Sequence, residues 1–599
     1  MFEQVAPSPF RPRSKCHRTG SCARGKSPFF STSLGVASAC GSALLALFAI
    51  LGKGPLFWGD SYNHLWLISA VDVRGFVPPY TVSGSATGLF LPHLAFYGGS
   101  LYWCAHLFGL LVGSFQLAFT ILTLAAFVAA YSGIYSVARH FKCPIELASL
   151  AGFGYLCSPY ILANFFGRGA WPEFVATSFL PLVASSLLRL QDTRRVRYFI
   201  LLIVSMAVVT GSHVITAVLS SGFLLLGLVL LTSTRKGRKR LKDSKTAILC
   251  LILGTSINAW WLLPMIWYRD GVFMAERAGL VLDSPFTSWS QVLSPTAKVP
   301  LTSTTPHLHA SAPVWVLLSV AISVFIASAA KALRLTALSA FLGGTSFFLV
   351  FAATDTAWAF VPSILHGIQF PYRTLTYFSL WIIMWWIVLA SKLTLDSELR
   401  RSAALKISRF LLLFGVLFQA TLGFHLIYGS HRDALELPAR SWSDWETPST
   451  FYFAEAYRFT GGTVDFVDEV VIGDSCSPSV CVTSAFKIEK SSEWGVSTQL
   501  SIVDSPFIEV VPEWAYLGRS ARGFVVVDAQ LTPAVAVVQS IPKPAQYGIG
   551  VSLFAVLASL FLVVHTRRID IGPHKWVTSG IPRRRQGGRA SKSRPTKVP

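Results

Sequence analysis

The feature that most constrains this chain is the recurrence of apolar runs of about twenty residues with almost no charge, the length a helix needs to cross a bilayer. Such runs occupy residues 33–51, 115–138, 145–165, 172–190, 198–210, 212–232, 246–268, 313–330, 335–353, 374–390, 410–428 and 548–565. Hydrophobic residues make up 52% of the 599, charged residues 13%, and mean hydropathy is +0.53. A soluble fold of this size could not cover that much apolar surface. The pattern predicts an all-α polytopic membrane protein with twelve transmembrane helices.

One further apolar stretch, 89–112, contains Pro92, His93, Tyr97, Gly98, Gly99, Tyr102, Trp103 and His106. These residues suit a helix lying in the membrane interface, where Tyr and Trp concentrate. Charge supports that choice. With 89–112 interfacial and the N-terminus inside, the inner segments hold 36 of the 51 Lys and Arg residues. Counting 89–112 as a span would invert every later loop and expel Arg235-Lys236-Gly237-Arg238-Lys239-Arg240. That would violate the positive-inside rule. The net charge of +22 is therefore mostly topology. It does not indicate a nucleic-acid partner, and Arg583-Arg584-Arg585 reads as part of a cytoplasmic anchor. The first apolar run lacks a clear small-x-small cleavage pattern and reads as a retained helix.

Five zones follow: a basic cytoplasmic tail at 1–33, a membrane domain at 34–428, an extracytoplasmic β-rich domain at 429–547, a last helix at 548–565 and a basic tail at 566–599. The outer segment holds 15 of the 29 acidic residues against 8 Lys and Arg. Short runs such as Thr463–Val467 and Gly523–Val527 read as strands. Cys476 and Cys481 flank Ser-Pro-Ser-Val there. An oxidising outer compartment permits a bridged loop between them; two unpaired thiols are the other reading. P-loop, Rossmann, G-x-S-x-G and H-E-x-x-H patterns are absent.

The predicted topology gathers unusual polar residues on the outer face. Asp60 and His64 follow the first span, with Asp72 and Arg74 beyond them. Gly167-Arg168-Gly169-Ala170-Trp171-Pro172-Glu173 joins two spans. Arg269, Asp270, Glu276, Arg277, His307 and His309 fall in one long connection, and His366-Gly367-Ile368-Gln369-Phe370-Pro371-Tyr372-Arg373 precedes the span at 374–390. Each has a plain alternative. Asp60 and His64, one helical turn apart, could simply bond each other. Arg168 and Glu173 could close a tight turn as an ion pair, and Arg373 could reach lipid phosphate. His213, between two short apolar runs, could satisfy a helix end. His307 and His309 have a spacing that a metal could use. Arg373 is harder to dismiss, because a cation at a helix start opposes the helix dipole.

Arginine carries a planar fork that grips phosphate with two bonds and stays charged wherever it sits. An acid to accept a proton, with arginines to hold a departing phosphate, suits glycosyl transfer. Asp60 would be the general base, with His64 beside it. Arg168 and Arg373 would neutralise the lipid phosphate, with Glu173, Gln369 and Arg269 in support. No cofactor is marked by a motif, and a divalent metal ion remains an open requirement.

Three segments carry a family resemblance: Gly59-Asp60-Ser61-Tyr62-Asn63-His64-Leu65-Trp66; Gly167-Arg168-Gly169-Ala170-Trp171-Pro172-Glu173 with Phe179-Leu180-Pro181-Leu182; and Ile368-Gln369-Phe370-Pro371-Tyr372-Arg373. Together they resemble the 6-pyruvoyl-tetrahydropterin synthase-related membrane proteins and, more distantly, YfhO-like proteins, over roughly residues 35–430. Leu67 and Tyr372 stand where that pattern has Arg and Trp. The resemblance implies the GT-C superfamily of polyprenyl-phosphate-sugar glycosyltransferases, whose base is an acidic residue in the first outer loop, here Asp60. It implies a polyprenyl-phosphate-linked sugar as donor. The acceptor would be a cell-envelope glycan, glycolipid or protein at the outer face of the cytoplasmic membrane. A catalytically inactive scaffold of the same fold is the second reading, and an anionic-lipid carrier or flippase the third. The carrier reading would require ionisable groups at span centres, where this sequence has almost none.

Overall fold

The computed structural model describes residues 30–51, 61–71, 80–84, 88–91, 93–193, 195–233, 238–268, 289–293, 311–330, 333, 335–353, 371–395, 403–435, 476–477, 480–482, 488–491, 495–503, 505–519, 524–528 and 536–570. Helices dominate: α1 (Phe30–Leu51), α2 (Ser61–Ala70), α3 (Gly99–Val112), α4 (Phe115–His140), α5 (Ile145–Leu156), α6 (Pro159–Leu162), α7 (Trp171–Thr193), α8 (Val196–Ser212), α9 (Val214–Ser233), α10 (Arg238–Ser256) and α11 (Ala259–Trp267). Further long helices cover Val314–Ala329, Leu335–Ala353, Leu375–Leu395, Ala403–Leu435 and Lys543–Asp570.

Among the described residues six helices are long and apolar enough to cross a membrane, or up to eight if each of two bent pairs is one span. The sequence predicts twelve. The other four expected spans fall on apolar helices with only 10–17 described residues. The expected single helix over 89–112 is also broken. A strand, a 3-10 turn at His93–Ala95 and then α3 replace it. Gly98 stands where α3 begins: its φ of +60° is left-handed, and a side chain there would meet the Tyr102 ring at 2.8 Å and the Ser212 carbonyl at 3.1 Å.

The helical body is organised around α4 and α7, which run parallel. Trp171 Nε1 donates to Thr123 Oγ1 at 3.0 Å near their first ends, and His140 lies 3.5 Å from Asp192 near their last. Gly133 allows the close approach. A methyl group on it would lie 2.6 Å from both the Leu182 backbone nitrogen and Pro181 Cβ. Pro181 sits inside α7 and cannot donate to the carbonyl of Thr177. The Tyr155 hydroxyl donates to that carbonyl instead, at 3.2 Å. A freed carbonyl inside a membrane needs such a partner.

Two bends interrupt the spans. The α5–α6 pair turns by 52° and the α10–α11 pair by 73°. Ser158 precedes Pro159, which disfavours helical geometry at the residue before it, and Ser158 is extended at ψ 131°. In α11, Pro264 leaves the Trp260 carbonyl without its helical partner. The Tyr80 hydroxyl fills that place from the first loop, at 2.8 Å.

The outer segment contains strands, as its alternating runs predict. They are β3 (Cys476–Ser477), β4 (Val480–Val482), β5 (Ile488–Ser491), β6 (Gly495–Val503), β7 (Ile508–Val511), β8 (Tyr516–Arg519), β9 (Phe524–Asp528) and β10 (Ala536–Gln539). β9 covers the run expected near 523–527, with Val525 and Val527 buried on one face; the run at 463–467 lies outside the described residues. One sheet orders β3-β4-β10-β7, and its antiparallel register sets Cys476 opposite Cys481. The second includes β1 (Val82–Gly84) and β2 (Gly88–Leu91) from the first loop. β2 pairs in parallel with β6 at Leu89 and Ile502, joining that loop to the outer strands.

Gly133→Ala should lower the thermal midpoint in detergent by an amount equivalent to about 1–3 kcal/mol of overpacking. Gly222→Ala, with open space around the added carbon, should leave the midpoint within error of the parent.

Candidate functional site

The bend at Pro159 feeds a π-type turn at Ala163–Gly167, in which the Arg168 N–H donates to the Ala163 carbonyl at 2.7 Å. Such turns re-aim side chains within helices. Gly169 follows with φ +68°, a left-handed conformation that a side chain would strain. The chain re-enters a helix at Trp171, which places Glu173 in the first turn of α7, where the helix dipole favours a carboxylate.

Glu173 is 1% exposed. Its Oε2 accepts from Arg168 at 3.3 Å and from Arg373 Nε at 3.2 Å. Its Oε1 accepts from the Tyr160 hydroxyl and from Asn164 Nδ2. Asn164 Oδ1 also accepts from Arg168, at 3.1 Å. The Arg168 guanidinium lies over the Tyr372 ring, 5.3 Å from its centroid. A buried guanidinium and a half-buried one thus share one carboxylate, and the trio carries a net positive charge. Arg373 sits in the 3-10 turn Pro371–Thr374 before its helix. Its opposition to the dipole is answered by Glu173, 200 residues away.

A second cluster adjoins this trio. His64 on α2, His93 in its 3-10 turn and His213 between α8 and α9 are 3%, 2% and 3% exposed. Tyr97 links all three, with ring centroids 6.2 Å from His64, 5.4 Å from His93 and 6.3 Å from His213. The Tyr102 hydroxyl lies 2.5 Å from His64 Nδ1, and His64 Nε2 has no hydrogen-bond partner among the described residues. His213 Nδ1 accepts from the Thr216 backbone N–H at 3.3 Å, so in the neutral ring Nε2 carries the proton. Glu173, Arg373 and Arg168 all act electrostatically on His213. Burial, reinforced by His93, His213 and Arg168, pushes the His64 pKa down to about 3; burial also pushes His93 down to about 3. His64 and His93 are neutral at physiological pH.

The structure brings together three of the sequence-selected residues, Arg168, Glu173 and Arg373, and sets His64 in the adjoining cluster. Asp60, Gln369 and Arg269 lie outside the described residues, as do Asp72, Arg74, Asp270, Glu276, Arg277, His307, His309 and His366. Among the described residues no group of three or more His, Cys, Asp or Glu is arranged to hold a metal ion. Sequence reading missed Tyr160 and Asn164 as members of the site. Their signal was a spacing of four, 160, 164 and 168, which repeats on one helical face. It also treated His93, Tyr97 and Tyr102 only as residues suited to an interface.

Residues 94–422 match the sequence model of the 6-pyruvoyl-tetrahydropterin synthase related domain, described as a membrane protein. The match covers more than half of the chain, which therefore belongs to that family of membrane proteins. No curated protein matches it. Among solved structures, the fold is similar at 15% identity to the arabinofuranosyltransferase AftD from Mycobacteria, with a TM-score of 0.35, covering 66% of this chain and 27% of that one. It is also similar at 15% identity to the archaeal oligosaccharyltransferase AglB from Archaeoglobus fulgidus, solved with an inhibitory peptide and a dolichol-phosphate. That alignment has a TM-score of 0.37 and covers 74% of this chain and 62% of the other. This chain thus spans less than two thirds of either, and residue roles do not transfer across so distant a likeness.

Removing the shared carboxylate would take from Arg373 and the half-buried Arg168 the counter-charge they share. Glu173→Gln should lower stability in detergent by about 3–5 kcal/mol, read from the unfolding midpoint; an unchanged midpoint would show that the trio does not pin the fold. The imidazoles predict a pH effect of definite sign. His64 and His93 titrate near 6.5 when unfolded and near 3 when folded. Their contribution is complete above the unfolded value and lost as pH falls towards the folded one. The unfolding midpoint should drop between pH 7.5 and 5, and drop less in the His64→Gln/His93→Gln double variant.

Proposed function

We propose that this membrane protein is a glycosyltransferase. It moves a sugar from a polyprenyl-phosphate donor to a cell-envelope glycan, glycolipid or protein at the outer face of the cytoplasmic membrane. Both termini lie inside. The observation that carries this reading is the Arg168–Glu173–Arg373 trio, two positive charges on one buried carboxylate. A cationic site inside an apolar helical body suits a phosphate carried on a lipid tail, and guanidinium forks suit its oxygens.

In the reaction, an acceptor hydroxyl attacks the anomeric carbon of the donor sugar. Asp60 takes the hydroxyl proton, while the bond between that carbon and the phosphate oxygen breaks. The electron pair leaves with the polyprenyl phosphate, whose growing charge Arg168 and Arg373 offset. Glu173 keeps the two guanidinium groups oriented. The neutral His64, with Nε2 unengaged, is available to hold a hydroxyl of sugar or acceptor. Gln369 and Arg269 are assigned supporting roles.

A second reading has its own observation. Glu173 already engages both arginines, as it would in a purely structural pin within an inactive scaffold. The two readings differ in a deletion strain. Loss of the transferase should accumulate a lipid-linked precursor in the lipid and glycan profile, and the parent gene should clear it. Asp60→Asn should reach the membrane at parental abundance yet fail to clear the precursor; full clearance would remove Asp60 from the mechanism. Arg373→Lys, keeping one positive charge, should slow transfer by about a hundredfold or more. No precursor in the deletion strain would favour the scaffold.

A further inference from the structure

Phe507 occupies the turn between β6 and β7 and is 0% exposed. Aromatic residues of the membrane body pack around it. Its ring stacks on Tyr80 at 5.2 Å and 27°. It meets Phe96 edge-on at 6.3 Å and Tyr268 at 5.6 Å and 71°. The turn itself is fixed from behind, because the Ser540 N–H donates to the Phe507 carbonyl at 2.8 Å. Beside it β2 and β6 pair through their backbones. The outer strands therefore engage the first loop twice, by a ladder contact and by a buried ring.

Tyr80 spreads that contact. Its hydroxyl donates to the Trp260 carbonyl that Pro264 leaves open. Its own carbonyl accepts from the Ala95 N–H at 3.1 Å, in the 3-10 turn that begins with His93. From His93 the rings continue through Tyr97 to His64 and His213. The path joins Phe507 and Trp260 to Tyr80, and Tyr97 to His64 and His213, across stretches distant in sequence.

We propose that Phe507 is a positioning residue for the imidazole cluster: wedged between Tyr80, Phe96 and Tyr268, it holds the His93 turn, and through Tyr97 keeps His64 and His93 buried and in register with the Arg168–Glu173–Arg373 trio. The outer β-strands thus set the geometry of a cluster that Phe507 does not itself contact. This role is independent of the transferase reading, since it concerns which side chains are shielded.

The test is diethyl pyrocarbonate labelling of the full-length protein in detergent micelles, mapped by peptide mass spectrometry, with hydrogen exchange measured in parallel. In Phe507→Ala, labelling of His64 and His93 should rise about tenfold as the loop opens locally. Phe507→Leu, which restores most of the apolar bulk, should return it most of the way to the parent level. His140, at the opposite end of α4, should label as in the parent. Unchanged His64 and His93 labelling, with faster exchange confined to β7 and β10, would overturn the proposal and leave Phe507 a core residue of the outer strands alone. A parallel rise at His140 would also overturn it, because it reports general unfolding. Should Phe507→Ala not yield folded protein, Phe507→Val is the milder truncation that still removes the ring packed on Tyr80. It should raise labelling of the same two histidines about threefold; no rise there overturns the proposal.

Discussion

One buried carboxylate organises this protein. Glu173 joins the broken α5–α6 span, the start of α7 and the turn before Leu375–Leu395. Burying two guanidinium groups in an apolar body is unfavourable unless an opposite charge and further hydrogen bonds accompany them. Here one carboxylate receives four donors, and a tyrosine ring lies beneath one guanidinium. The position of this trio in turn sets what surrounds the imidazole cluster.

A second constraint runs through the body. Prolines inside helices leave carbonyls without partners, and an apolar medium supplies no water to replace them. Tyr155 answers Pro181, and Tyr80 answers Pro264. The first case stays within the bundle. The second ties the first loop to α11, so a local helix defect becomes a tertiary anchor. Phe507 packs on that same tyrosine, which is why the outer strands are mechanically connected to the membrane body.

The membrane character, the strand-forming outer segment and the singular residues Arg168, Glu173 and Arg373 were legible because each leaves a local signal. Long uncharged runs, alternation, and charges in short turns all stand out in one dimension. The helix expected across 89–112 is interrupted before α3. Its apolar count outweighed the Gly98-Gly99 pair, and the left-handed Gly98 fits against Tyr102 and Ser212. Ser212 lies far along the chain, so the close approach that requires glycine could not be read from neighbours. Tyr160 and Asn164 carried a readable spacing, but their value depends on Glu173 being within reach.

By itself the sequence determined a chain of membrane helices, an acidic segment with strands, and a few charged residues too costly to be incidental in such surroundings. Periodicity and composition suffice for these, because they follow from transfer between water and an apolar medium residue by residue. Only the tertiary structure decided that Arg168 and Arg373 meet on one carboxylate, that three histidines gather around Tyr97, and that Phe507 seats against Tyr80. Those contacts join segments up to hundreds of residues apart. Their geometry comes from how bent helices pack, which no local pattern encodes.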